Sequence, residues 1–291
     1  MIEQTNKFTI AYSSCPNDTF IFNGLVHGLI DTKGLKFDVA MADVETLNKK
    51  ALNNVYDITK LSYAAFGRVR DKYRLLKTGS ALGQGCGPLI ITKAQKNLYI
   101  SKTPVIAVPG LLTTAYHLLR LYLNDLMIEK GIEIFPEIIP MPFEEIMPHV
   151  VSGKSDFGVI IHEGRFIYSE SGLKLVSDLG SWWEKKTLMP IPLGGIAIKK
   201  NIKKDYAVKI EKLIAESIKY ARNAPVSSYK YIKANAQELD DQIIARHIDL
   251  YVNEFSDNLG KKGEKAVRLF LNSIEKAGIV PETNEPLFAS D

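Results

Sequence analysis

Ser155-Asp156-Phe157-Gly158-Val159-Ile160-Ile161-His162-Glu163-Gly164-Arg165-Phe166 is the stretch on which the reading of this chain turns. Phe157 and Val159 to Ile161 are apolar and largely β-branched. Gly158 interrupts them, Ser155-Asp156 precedes them, and Gly164 closes the segment. A run this short with such borders reads as a buried strand. His162 then sits at the strand's carboxyl end, which is where open α/β sheets bind their ligands. Imidazole is also the side chain that titrates near neutral pH. The segment therefore offers a base at the mouth of a cleft, or a histidine packed under a loop.

Working outward, the front half alternates strand and helix: Phe8–Ser13, then a helix over Asp18–Gly28; Phe37–Ala42, then Val44–Asn53; Tyr56–Ser62, then a short helix from Tyr63. Strands separated by helix-length segments predict a parallel sheet covered on both faces. Gly85-Cys86-Gly87-Pro88 is a strong turn signal, after which the alternation restarts. Val105–Val108 reads as a strand and Thr113–Leu126 as a helix. Ala115, Leu118, Leu119, Tyr122, Leu123 and Leu126 share one face of that helix. His117 falls on the opposite face and is expected in solvent. Leu193–Ile198 is a further strand entered through glycines, and from Lys203 to Gly278 only helical patterns appear.

Tyr56-Asp57-Ile58-Thr59-Lys60-Leu61-Ser62 echoes Ser155–Ile161, since in both an aspartate opens an apolar strand. Together these patterns predict an α/β protein of two lobes with two crossings. The expected limits are 1–92 and 194–291 for the first lobe, which the C-terminal helices complete, and 93–193 for the second. This layout resembles the type II periplasmic-binding-protein fold, which binds ligand in the cleft between its lobes.

Length and composition agree. A chain of 291 residues suits two lobes of ordinary size. A net charge of +4 is too small to call for nucleic acid but suits a small anionic substrate. The two cysteines, Cys15 and Cys86, form no CxxC pair, so neither a zinc site nor a disulfide framework is expected. The longest apolar neighbourhood, 104–123, is interrupted by Pro109-Gly110, His117 and Arg120 and does not span a bilayer. The polar start of the chain carries no leader pattern, and the expected location is the cytoplasm. No phosphate loop is present, and no organic cofactor is expected. Monomer and homodimer both remain open.

Three segments join His162 as candidates. Val108-Pro109-Gly110-Leu111-Leu112-Thr113-Thr114-Ala115 brings a strand into a helix start. Free N–H groups and the dipole make such a start an anion site, to which the hydroxyls of Thr113 and Thr114 can contribute, unless it is an ordinary N-cap. Lys60-Leu61-Ser62 ends the third strand and should face the same cleft, Lys60 supplying charge and Ser62 a hydroxyl. Ser13–Phe20 joins the first strand to the first helix, with Asn17 or Asp18 as the N-cap. Cys15 lies near a helix start, where a thiol can be activated, but no histidine neighbours it in sequence. His247 fits a core position or a cleft position, Glu163 should point away from His162, and Trp182-Trp183 either cover a ligand or pack the interior.

Several of these pieces together resemble the 1,4-dihydroxy-6-naphthoate synthase family. They are Ser14–Phe20, Lys60–Tyr63, Gly85–Leu89, Thr113–Ala115, His162–Phe166, Tyr231–Glu238 and His247–Asn253. The resemblance covers nearly the whole chain in order. It implies the two-lobed fold and a carbon–carbon lyase of the futalosine route to menaquinone. That enzyme converts cyclic dehypoxanthinylfutalosine into 1,4-dihydroxy-6-naphthoate with release of a three-carbon sugar fragment, and needs no metal or organic cofactor. The resemblance places the catalytic histidine on His162, the substrate-binding strand end on Lys60, Leu61 and Ser62, and the anion-binding helix start on Thr113 and Thr114. Ser14 departs from the family, which usually has proline there. Chorismate dehydratase of the same pathway and a carboxylate-binding protein without catalysis are the rival readings.

Overall fold

The computed structural model describes residues 6–94, 96–236 and 240–290. Gln237 and Glu238, at the end of one quoted motif, lie outside the described residues. The first sheet holds β1 (Lys7–Tyr12), β2 (Lys36–Met41), β3 (Ile58–Ser62), β4 (Tyr73–Leu75), β5 (Ala81–Gly83) and β11 (Ile191–Lys199). Its order is β2-β1-β3-β11-β4, with β5 also paired to β11. The second sheet holds β6 (Leu89–Thr92), β7 (Val105–Val108), β8 (Glu137–Pro140), β9 (Phe157–Ile160) and β10 (Lys174–Asp178), in the order β10-β6-β9-β7-β8.

Only part of each sheet is parallel, in contrast to the all-parallel expectation. β1 runs parallel to β2 and β3, and β7 runs parallel to β8 and β9. The strands that carry the chain across, β6 and β11, run antiparallel to β9 and β3. They enter from the opposite end of the sheet, so their direction reverses. β6 hydrogen-bonds wholly within the second sheet, so sheet membership changes between Gly83 and Leu89 rather than at 92, and β11 rejoins the first sheet at Ile191 rather than 194. At the outbound crossing Gly87 lies directly against Gly180. A Cβ on Gly87 would come within 2.3 Å of the Gly180 Cα, so the close approach requires glycine.

The echo between the halves has a physical basis. Asp57 precedes β3 and its Oδ2 accepts the Thr9 N–H of β1 at 2.9 Å. Asp156 precedes β9 and its Oδ2 accepts the Val105 N–H of β7 at 3.1 Å. Each aspartate pins the start of its strand to the neighbouring parallel strand. β3 and β9 thus occupy equivalent places, and Ser62 and His162 emerge at equivalent carboxyl ends.

The helices follow their apolar faces. α1 (Pro16–Val26) is buried along nearly its whole length beneath α8 (Lys204–Asn223), α9 (Pro225–Asn235) and α10 (Asp241–Tyr251). Pro16 starts α1 at N1, so Cys15 is the N-cap and the expected Asn17 or Asp18 cap lies inside the first turn. The other helices are α2 (Val44–Leu52), α3 (Tyr63–Phe66), α4 (Thr114–Lys130), α5 (Phe143–Val151), α6 (Gly164–Ile167), α7 (Leu179–Thr187), α11 (Glu254–Asp257) and α12 (Gly260–Lys276). α4 packs its apolar face on the second sheet and touches α3 and β11 of the first lobe. His117 is therefore buried and not solvated, because the first turns of the face opposite the apolar stripe lie against the other lobe, while Arg120 and Asn124 further along it stay exposed. Periodicity within one helix carries no record of such a second contact.

Candidate active site

Four chain segments meet in one cavity: the β1–α1 link, the end of β3, the start of α4 and the residues after β9. Its lining includes Ser13, Asn17, Asp18, Lys60, Leu61, Ser62, Thr113, Thr114, Ala115, Ile161 and His162, with Leu193 and Gly194 of β11 and Tyr251 of α10. His162, Lys60, Leu61, Ser62, Thr113 and Thr114, the six residues on which the resemblance placed the site, thus border one space.

His162 ends the extended run with φ at 54°, in the left-handed region that non-glycine residues enter at a cost. The turn brings the ring into the cleft and ends β9 before α6. The ring lies 4.9 Å from the Phe143 ring and 6.0 Å from the His247 ring, to which it is nearly parallel at 9°. Burial lowers its pKa below the ordinary 6.5, partly opposed by the Glu163 and Asp18 carboxylates. At neutral pH it is a free base.

The cysteine beside it was not legible in sequence, because the two residues are far apart along the chain. Cys15 Sγ lies 3.5 Å from His162 Nδ1 and 3.9 Å from Nε2. Burial and the Glu163 charge push the Cys15 thiol well above its usual value. It is a neutral S–H packed against the ring, not an activated thiolate.

Lys60 does not offer a free positive charge. Its Nζ lies 2.8 Å from Asp18 Oδ1 and donates to the Gly79 carbonyl at 3.0 Å, and both charged side chains are buried. Asp18 Oδ2 accepts the Ser13 N–H and hydroxyl at 3.2 and 2.7 Å. The pair is internally neutral and fixes the β1–α1 link to the end of β3.

At the start of α4 both hydroxyls are already engaged. Thr113 is the N-cap; its Oγ1 accepts the Tyr116 N–H at 3.2 Å and donates to the Gly110 carbonyl at 2.9 Å. Thr114 Oγ1 donates to the Leu193 carbonyl at 2.7 Å and accepts the Ala64 N–H at 3.3 Å, so it ties α4 to the first lobe. Thr114 and Ala115 line the cavity, and their backbone N–H groups donate to no described residue. Ser62 Oγ accepts from Asn48 Nδ2 at 3.1 Å, and its own proton remains available to an acceptor in the cavity. Two helix-end N–H groups, one hydroxyl proton and a neutral imidazole thus border an apolar space, which suits a ligand with a carboxylate and an abstractable proton.

His247 and Glu163 take unexpected places. His247 is fully buried, with Nε2 2.9 Å from Asn17 Oδ1. Glu163 turns under the site because the left-handed turn at His162 breaks the strand alternation. Its Oε2 comes within 3.8 Å of His247 Nδ1. Trp183 is buried against Phe270 at 5.7 Å and Trp182 packs on Tyr122 at 5.6 Å; neither lines the cavity. Among the described residues no group of three or more His, Cys, Asp or Glu is placed to hold a metal ion, and no helix is long and apolar enough to cross a membrane.

A family model described as menaquinone biosynthesis matches residues 8–276. The 1,4-dihydroxy-6-naphthoate synthase of Thermus thermophilus is 39% identical over 279 residues, covering 96% of this chain and 98% of the relative. The chain belongs to the 1,4-dihydroxy-6-naphthoate synthase family. The Streptomyces coelicolor synthase of that name is 40% identical over 272 residues, 94% of either chain. A crystal structure of an Archaeoglobus fulgidus protein superposes with a TM-score of 0.86 at 32% identity, covering 96% of this chain and all of that one. The aliphatic sulphonate binding protein SsuA from Escherichia coli superposes at 0.67 with 11% identity, over 96% and 90% of the two chains. That likeness bears on fold alone and bears out the two-lobed periplasmic-binding-protein-like architecture.

Proposed function

We propose that this member of the synthase family is a carbon–carbon lyase. It converts cyclic dehypoxanthinylfutalosine to 1,4-dihydroxy-6-naphthoate in the cytoplasm, releasing a three-carbon sugar fragment. The observation that carries the reading is the pairing, across one cavity, of the neutral His162 ring with the unspent N–H groups of Thr114 and Ala115. The synthases named above, related over nearly their full length, support it.

In this reading the substrate's carboxylate lies on the start of α4, held by backbone N–H groups with Thr113 and Thr114 shaping that start, and Ser62 donates to a second oxygen. Leu61 and the Lys60–Asp18 pair set the floor. His162 takes a proton from the substrate as its carbon–carbon bond breaks and returns it as the ring becomes aromatic. A base so placed contributes about 10²–10⁴-fold. The apolar walls exclude water and hold the reacting atoms in place. The test is to incubate the purified protein with cyclic dehypoxanthinylfutalosine or with chorismate and follow product by mass. The expected result is naphthoate from the first only, with His162→Asn binding substrate but losing about 10²–10⁴-fold in kcat. Chorismate dehydration, binding without turnover, or an unimpaired His162→Asn protein would each overturn it.

A further inference from the structure

His247 is not in contact with the cavity, yet a continuous chain of polar groups ends on it. Asp18, paired with Lys60, has only acceptor oxygens, so the Asn17 amide must turn its Nδ2 toward Asp18 Oδ1, at 2.9 Å. Asn17 Oδ1 then faces His247 Nε2 as an acceptor at 2.9 Å, and Nε2 must carry the hydrogen. With Nε2 protonated, a neutral His247 presents a lone pair at Nδ1. That lone pair faces Glu163 Oε2 across 3.8 Å, and both atoms are buried without a hydrogen bond to any described residue. Two facing acceptors in a buried place repel, and one added proton satisfies both.

We propose that His247 and Glu163 share one proton buried under His162, and that this pair is a positioning unit that sets the pH at which the catalytic ring becomes a free base. The inference rests on the base role of His162 proposed above. The two imidazoles are nearly parallel at 6.0 Å, so the pair's charge acts directly on His162. The other groups around them are held neutral or paired. Asp18 is matched by Lys60, and Arg165 by Asp178 at 3.1 Å. The Cys15 thiol and the Tyr251 phenol, whose ring is 4.6 Å from His247, stay protonated through burial, and Phe143 is apolar. Glu144 of α5 and Arg246 of α10 are exposed to solvent, so among the described residues the His247–Glu163 pair is the enclosed group near His162 whose charge is free to change.

The two variants then differ in the charge they leave. Glu163→Gln supplies an amide N–H to Nδ1 in place of the shared proton, leaves the net charge under His162 unchanged, and keeps the acid limb of kcat/KM at its wild-type pH. His247→Gln keeps a donor to Asn17 but cannot take up the proton. It leaves a full negative charge near His162 and moves the limb upward. A merely structural role lowers activity in both without moving the limb of either. Nitrogen-15 NMR of histidine-labelled protein reads the pair independently of turnover. In the wild type and in His162→Asn, the expected state has Nε2 of His247 protonated and its Nδ1 either protonated or hydrogen-bonded. A His247 with bare Nε2, a limb displaced by Glu163→Gln, or a limb unmoved by His247→Gln would each overturn the proposal. An unimpaired His162→Asn with the expected His247 signals would instead sink the base assignment alone.

Discussion

The Glu45 carboxylate of α2, in the first lobe, accepts the Leu112 N–H just ahead of α4 in the second, at 3.2 Å to Oε1 and 3.1 Å to Oε2. Gly110 makes the approach possible. Its φ is 127°, and a Cβ there would fall 2.4 Å from Glu45 Cδ. An acid of the protein's own thus rests at the helix start proposed to hold the substrate's acid, and it joins the two lobes. No motif marks Glu45 in the sequence, because its partner is a backbone group far along the chain.

Burial raises the pKa of Glu45 above its ordinary 4.5, although the Leu112 N–H opposes this. Between the ordinary and the raised values the folded protein binds more protons than the unfolded chain, so this residue's contribution to stability declines as pH rises through that window. Glu45→Gln keeps an acceptor for Leu112 and has no charge to desolvate. Its melting temperature relative to wild type is expected to climb from about pH 4 upward and then level off once the native carboxyl has ionised. Thermal melts at a series of pH values check this, and a flat difference contradicts it.

Lys60 and Asp18 are both buried, so breaking the pair leaves an unmatched charge. Lys60→Met is expected to cost about 3–5 kcal/mol of unfolding free energy. The double variant with Asp18→Asn should recover most of that loss, because neither charge then remains. Denaturant unfolding of the single and double variants measures the coupling; equal losses in both would show that packing rather than charge dominates.

His117 is buried on α4 with neither ring nitrogen bonded to a described residue. Burial, with Arg120 and Arg68 nearby, lowers its pKa to about 3. The unfolded chain binds a proton there below the ordinary 6.5 while the folded protein does not, so stability is lost as pH falls through that interval. The slope from this one residue is at most about 1.4 kcal/mol per pH unit. His117→Leu is expected to flatten the acid side of the stability curve by that amount, as chemical unfolding between about pH 6 and 4 would reveal.

The fold was largely legible because its signals are local. The β-branched run before His162, the aspartate before each equivalent strand and the glycine-rich outbound turn each declare themselves within a few residues. The same locality explains the shortfalls. β6 has the composition of either sheet, and only pairing assigns it. His117 reads as exposed and Lys60 as a free charge in the cleft, because the groups that cover the one and pair with the other lie in other segments. In the site, His162, Ser62, Thr113 and Thr114 stand at element ends and could be found by position. Cys15, Glu45, His247 and Glu163 could not, since each meets its partner through the fold and not through spacing.

The backbone at His162 adopts a shape that glycine would take at less cost. The fold on its own would favour a residue with no side chain there, while the proposed chemistry needs an imidazole. A glycine variant relieves the backbone at the expense of the ring's packing against Phe143 and Cys15, and it leaves the cleft without a base. In this chain, conformational comfort has been surrendered at the position where the ring enters the cleft.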